Sequence, residues 1–311
     1  MRIFLAGATG AIGTPLVREL TRAGHDVTGT TRSESKVEAL RAAGAEPVVL
    51  DALDRDAVVA AVTAAQPDAI VHQLTALTDL SDLRDVDRAF AMTNRLRTEG
   101  TDHLLAAAHA VDGARVIAQS FAGWPYAHTG GPVKTEEDPL DPDPVPSMRE
   151  TLAAIRYLED AIAKEQGIVL RYGGLYGPGT SLAPGGEQAE MVRKRRFPIV
   201  GSGAGVWSFV HVDDAASATM AAIERGAPGV YNVVDDEPAP AREWLPALAA
   251  AVGAKPPRRV PRWLGRLAAG EAVAVMMTEV RGASNAKARR ELGWEPAHAS
   301  WRQGFRGVLT A

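Results

Sequence analysis

Three glycines spaced three apart open the chain: Gly7, Gly10 and Gly13 in the segment Gly7-Ala8-Thr9-Gly10-Ala11-Ile12-Gly13. An apolar run, Ile3 to Ala6, precedes them, and a stretch of helical periodicity, Ile12 to Ala23, follows. At such a junction the glycines permit a tight turn, close approach of backbone to a ligand, and tight packing of helix on strand. Amides at a helix N-terminus point outward and favour negative charge. Gly7, Thr9, Gly10, Ala11, Ile12 and Gly13 therefore read as a cradle for the pyrophosphate of a dinucleotide.

The end of the next strand selects the dinucleotide. An Asp or Glu there binds the ribose hydroxyls of NAD, but this chain has Thr30-Thr31-Arg32-Ser33. Arg32 suits a 2′-phosphate through charge-assisted hydrogen bonds and can stack on adenine. Ser33 adds a hydroxyl donor, so NADP(H) is expected over NAD(H). Asp51, followed by Ala52, is placed to meet the adenine amino group. Its alternative role is a helix N-cap, for which Asp54 competes.

The elements that must carry these residues alternate. Strands are expected at Ile3–Ala6, His25–Thr31, Pro47–Leu50, Ala69–Gln73, Arg115–Gln119 and Ile168–Tyr172. Helices are expected at Ile12–Ala23, Glu34–Ala43, Asp54–Ala65, Thr93–Ala110 and Thr151–Glu165. Strands separated by helices imply βαβ units and an α/β fold, a doubly wound parallel sheet of the Rossmann type. After Tyr172 the chain turns rich in Gly and Pro. The expected division is a dinucleotide-binding domain over 1–172 and a small C-terminal substrate lobe over 173–311, interleaved with a returning part of the first domain around 207–235.

Composition narrows the function further. The 311 residues carry a net charge of −4 and no broad basic stripe, which argues against nucleic acid as a partner. The short basic run Arg193 to Arg196 reads as a solvated helix end, with phosphate contact as the alternative. With no cysteine, disulfides, thiolate metal sites and cysteine nucleophiles are excluded. No apolar stretch is long enough to span a bilayer and no leader pattern is visible, so a cytoplasmic protein with a small-molecule substrate is expected; the heavy use of Ala, Arg, Asp and Gly suggests a high-GC bacterial genome.

Several further motifs, in order, resemble the short-chain dehydrogenase/reductase superfamily, in its extended and atypical branches related to sugar-nucleotide epimerases and dehydratases. They are the Gly7–Gly13 segment, Asp51, Asn94, the loop Leu170-Arg171-Tyr172-Gly173-Gly174-Leu175-Tyr176-Gly177-Pro178-Gly179, Phe209-Val210-His211-Val212-Asp213-Asp214, and Glu291-Leu292-Gly293-Trp294-Glu295-Pro296. The resemblance implies a seven-stranded sheet. It implies that Leu74, Thr75 and Ala76 line the cofactor and that Tyr172 and Gly173 lie near the nicotinamide. It also makes His211 to Asp214 a structural segment rather than a metal site, and it allows a homodimer.

The resemblance breaks at the chemistry. Members of the superfamily typically use a Ser with a Tyr and a Lys spaced Y-x-x-x-K, where the Lys lowers the Tyr pKa so that the phenol passes a proton. Ser120 falls at the serine position. Glu159 fits the glutamate four residues beyond the Lys, which puts Ile155 at the Lys position and Thr151 at the Tyr position. No Y-x-x-x-K occurs in the chain. Tyr126 could serve as the acid, or Tyr176 or Tyr172 from the other side, and Arg156 could orient the nicotinamide ribose; each also reads as a packing or surface residue. The expected activity is reduction of a carbonyl or related group on a small hydrophobic substrate, in a pocket lined by Trp124, Tyr126, Tyr176 and Trp207. The alternatives are an NADP(H)-binding regulatory protein without turnover, or an epimerase or dehydratase with bound cofactor.

Overall fold

The computed structural model describes residues 1–77, 84–111 and 113–309. Seven strands form one parallel sheet: β1 (Arg2–Ala6), β2 (Asp26–Thr31), β3 (Glu46–Val49), β4 (Ala69–His72), β5 (Arg115–Phe121), β6 (Ile168–Tyr172) and β7 (Gly229–Val233). Their spatial order is β7-β6-β5-β4-β1-β2-β3. The chain winds one way from β1 to β3 and the other way from β4, so a crevice opens at the C-terminal ends of β1 and β4, where open α/β sheets bind ligands. The expected doubly wound Rossmann sheet is the observed one.

Both faces of the sheet are covered, which is why the central strands β1 and β4 are near-continuous apolar runs. In β1, Ile3 and Leu5 pack with Leu16 and Leu20 of helix α1 (Gly13–Arg22) on one face. Phe4 points the other way, into a cluster with Val58 and Val62 of α2 (Arg55–Ala65) and with Leu104. The single helix expected over Thr93–Ala110 is two, α3 (Ala91–Arg97) and α4 (Glu99–His109). The break falls at Thr98, whose ψ is −82° and whose hydroxyl donates to the Asn94 carbonyl. A hydroxyl bonding back one turn competes with the helix ladder. Strand β5 runs to Phe121, two residues beyond its expected end.

Helix α5 (Arg149–Lys164) packs against β5 and buries Thr151, Ile155, Glu159 and Ile162. Beyond β6 the chain leaves the sheet. It returns through α6 (Val212–Arg225) and then as edge strand β7 beside β6. The segments outside the sheet share an aromatic core in which Phe209 meets Trp244 and Phe305 at 5.3 Å between ring centroids. Asp214 fastens the two parts together by accepting the Ala297 and His298 amides. No helix of the described residues is long and apolar enough to cross a membrane.

Candidate active site

The glycine loop occupies the crevice. Gly7 has φ +93°, and a Cβ there would lie 2.6 Å from the Gln73 carbonyl oxygen at the end of β4. A Cβ on Gly13 would lie 2.2 Å from the Gly7 carbonyl oxygen. Neither backbone can retreat, so both positions require glycine. The amides of Ala11, Ile12 and Gly13 meet no acceptor among the described residues. These unpaired donors at the start of α1 suit an anion such as a pyrophosphate.

Around this loop lie the other residues expected to hold the cofactor. Thr9 donates to Thr31, and the Thr31 hydroxyl also accepts the Ser33 amide. Arg32 is exposed, with no hydrogen-bond or ion-pair partner among the described residues. Ser33 shares a hydrogen bond with Ser35. Asp51 accepts the Leu53 amide while Asp54 caps α2, so the capping role considered for Asp51 falls to Asp54. The Ala52 carbonyl accepts from His103 Nδ1.

The turn Leu74–Ala76 is held by groups that sequence reasoning missed. His72 Nδ1 accepts the Leu74 amide, and its Nε2 lies 3.3 Å from the Leu96 carbonyl oxygen. Burial lowers the His72 pKa to about 4, so the ring is neutral and both nitrogens serve these bonds. Thr93 accepts the Ala76 amide. A histidine ending an apolar strand, just before the turn expected to line the cofactor, was the available signal.

The residues expected to be catalytic turn their polar groups into the protein. Ser120 is buried, and its hydroxyl donates to Glu159 Oε1 at 2.6 Å. Arg171 binds the same carboxylate through Nε at 2.8 Å and Nη2 at 2.5 Å. Burial disfavours the charged guanidinium, but the Glu159 bonds and charge outweigh it and hold the Arg171 pKa above its ordinary value. Arg171 Nη1 then donates to the Tyr126 hydroxyl, which donates to Asn232 Oδ1 at 2.6 Å. Tyr126 thus has both its donor and an acceptor position occupied inside the protein, and burial pushes its pKa up. These residues form one internal network, Ser120–Glu159–Arg171–Tyr126–Asn232, that links β5, α5, β6 and β7.

Tyr176 is fully buried, its hydroxyl enclosed without a hydrogen-bond partner, and a Cβ on Gly304 would lie 2.3 Å from that oxygen. Burial raises its pKa, so it is a poor proton donor as well as an unreachable one. Tyr172 turns into the sheet core, where its hydroxyl bonds Thr219 and accepts from Gln73, and burial raises its pKa to about 12. Of the two glycines that follow it, Gly174 lines the cleft and Gly173 is buried against Ser208. Thr151, at the tyrosine position, donates to Asp87 at 2.7 Å. Arg156 donates to the Asp141 carbonyl rather than pairing along its helix. Glu136 accepts the Asn232 backbone amide.

A cleft does open beside the ends of β5 and β6. Its walls include Phe121, Trp124, Val206, Trp207, Met276 and Val280, with Ser208 and the backbone of Gly123 and Gly174. Trp124 and Trp207 line it as expected from the sequence; Tyr126 and Tyr176 do not. Trp207 is fixed by an indole hydrogen bond to the Met276 carbonyl at 2.9 Å. Ser208 exchanges hydrogen bonds with the Ala283 backbone. Among the described residues, the lining therefore has aromatic faces, no charged side chain and no uncommitted hydroxyl.

Residues 3–233 match the NAD dependent epimerase/dehydratase family. The chain belongs to that family. Across its length it is 49% identical to the 3-diazoavenalumate denitrifying reductase of a Streptomyces species, over 98% of this chain and 99% of the relative. It is also 30% identical to the 2-alkyl-3-oxoalkanoate reductase of Stenotrophomonas maltophilia, over 82% and 76% respectively. Among solved structures, the UDP-glucose 4-epimerase of Thermotoga maritima shares the fold with a TM-score of 0.76 at 22% identity, covering 100% of this chain and 98% of that one. A human epimerase family protein with NADPH shares it with a TM-score of 0.75 at 20% identity, covering 100% and 99%. This family member is an NAD(P)-dependent oxidoreductase, which displaces the regulatory-protein alternative.

Proposed function

We propose that this oxidoreductase uses NADPH to reduce a small, flat, hydrophobic substrate whose acceptor group needs no proton from the enzyme. The favoured acceptor is an aromatic diazo compound in its diazonium form. When bound, the reduced nicotinamide supplies a hydride equivalent. The glycine loop and the amides of Ala11, Ile12 and Gly13 would hold its pyrophosphate. Arg32, exposed and without a partner among the described residues, would hold the 2′-phosphate, with Ser33 beside it; Asp51, Leu74, Thr75, Ala76 and Gly173 would line the rest.

One observation carries the reading of the reaction: among the described residues, no side chain at the cleft is placed to give a proton. Ser120, Tyr126 and Thr151 are committed to internal partners, and Tyr172 and Tyr176 are buried with raised pKa values. A ketone must gain a proton as well as a hydride. An arenediazonium need not, because dinitrogen leaves with the bonding pair: ArN2+ + NADPH gives ArH + N2 + NADP+. Phe121, Trp124 and Trp207 offer ring faces that favour a flat cation. The relative at 49% identity, named a denitrifying reductase of a diazo compound, supports this chemistry.

Carbonyl reduction is the second reading, favoured by the 30%-identical relative named an oxoalkanoate reductase; water would then supply the proton. The test follows NADPH oxidation with a stable arenediazonium salt and with an aryl ketone, against enzyme-free controls. Enzyme-dependent release of N2, with deuterium from 4-deuterated NADPH in the arene C–H and none from D2O, is the expected result. Turnover of the ketone alone would sink the diazonium reading and favour the second.

A further inference from the structure

Arg97, on α3, is a buried cation with no hydrogen bond from its guanidinium to the described residues. It is 6% exposed, and its Nη1 is enclosed with no partner. None of its guanidinium nitrogens finds an acceptor among the described residues. Arg171, equally buried, makes three such bonds. A buried charge is costly unless paired and hydrogen-bonded, so an unserved one calls for a reason.

No buried carboxylate on this side has an oxygen left to accept from it. Glu159 is the charge that acts on Arg97, and its oxygens are already taken by Ser120 and by both forks of Arg171. That leaves two guanidinium groups to one carboxylate. Asp87, the other buried carboxylate on this side, is saturated by the Glu150 and Thr151 amides and the Thr151 hydroxyl at the N-terminus of α5. His72 is neutral. Tyr126, with its raised pKa, stays protonated and adds no charge.

Its place in the fold gives this charge a target. The neighbouring Leu96 carbonyl meets His72 at the C-terminal end of β4, and Glu159 meets Ser120 near the end of β5. Asn94, one turn earlier on α3, donates to Thr151, so Arg97 stands on the helix that faces Thr151 and Ile155, the positions of the missing tyrosine and lysine. Long side chains on helices lean back toward the helix N-terminus, here toward the crevice end. The Asn94 Oδ1 on that side is also buried and unpartnered.

We propose that Arg97 replaces the absent lysine as a fixed positive charge beside the nicotinamide half of the site, and that it biases the site toward the reduced cofactor. The oxidised nicotinamide ring is a cation and the reduced ring is neutral, while both forms carry the same phosphates. A fixed cation therefore repels one form and not the other. Coulomb's law, at an effective dielectric of about 20 and a separation of roughly 10 Å, gives a factor of about ten in relative affinity. The inference rests on the cofactor reading above and is independent of the substrate.

The experiment is calorimetric titration of the enzyme with NADPH and with NADP+, without substrate, for the wild type, R97M, R97Q and R97K. The wild type is expected to bind NADPH the more tightly. Both neutral variants should lower the NADP+ to NADPH ratio of dissociation constants about tenfold, and R97K should retain it. Because no hydrogen bond is lost, the neutral variants should melt no lower than the wild type. An unchanged ratio in either folded neutral variant overturns the proposal and leaves the cofactor reading intact. Failure of the wild type to bind either form overturns both.

Discussion

Replacing Ser120 by alanine separates a catalytic serine from a structural one. If the hydroxyl held a substrate oxygen, its loss would lower kcat about 10²–10³-fold, as for an oxyanion donor. The geometry assigns it a different partner: the buried Glu159 carboxylate, at 2.6 Å. A hydrogen bond to a charged group contributes about 1.5–3 kcal/mol. Glu159 keeps both Arg171 bonds after the substitution, so no buried charge is stranded and the lower end applies. With an unfolding entropy of about 2.1 cal/mol/K per residue over 311 residues, the melting temperature should fall by about 2 °C. The assays are thermal melts and steady-state NADPH oxidation with whichever probe substrate the wild type turns over. Ser120→Ala should keep kcat within about twofold. A hundredfold loss of kcat at an unchanged melting temperature would refute the structural assignment and return Ser120 to the chemistry.

Arg32→Glu should cut the preference for NADPH over NADH by about 10- to 100-fold, since it removes a charge-assisted bond and adds repulsion; equal kcat/KM ratios in variant and wild type would rule out the 2′-phosphate role. Glu159→Gln should cost about 3–5 kcal/mol, because it leaves Arg171 and Arg97 buried without a counter-charge; chemical denaturation reads this, and a loss below 1 kcal/mol would mean the pair is dispensable. Trp207→Ala should raise KM for an aromatic substrate about tenfold or more while leaving NADPH affinity unchanged. His72 has a folded pKa of about 4, below the ordinary 6.5, so its neutral form stabilises the fold fully above pH 6.5 and that contribution is lost as pH falls toward 4. Melts across that window should show a decline that His72→Asn, which keeps an acceptor for the Leu74 amide, flattens; parallel curves would place the pH dependence elsewhere.

The cofactor cradle was legible because its determinants are local. Three glycines, one strand and one helix lie within the first twenty-two residues, and each glycine answers a steric demand made within that segment or by the strand beside it. The alternation of apolar runs and amphipathic helices likewise specified a parallel sheet covered on both faces, since such strands are apolar throughout. The missing Y-x-x-x-K was also plain, because that pair depends on spacing along one helix.

What the tertiary structure alone decided is the direction in which each polar side chain points. Ser120, Tyr126 and Tyr176 have the types and rough positions of catalytic groups, yet Ser120 faces Glu159, thirty-nine residues away, and Tyr126 faces Asn232, one hundred and six away. No periodicity encodes such pairings: they arise where β5, α5, β6 and β7 converge, and the cost of burying a polar group without a partner fixes them. Arg97 likewise reads in the sequence as one more arginine on a helix. Only the packed fold makes it a buried, unpaired charge behind the crevice that the glycines mark.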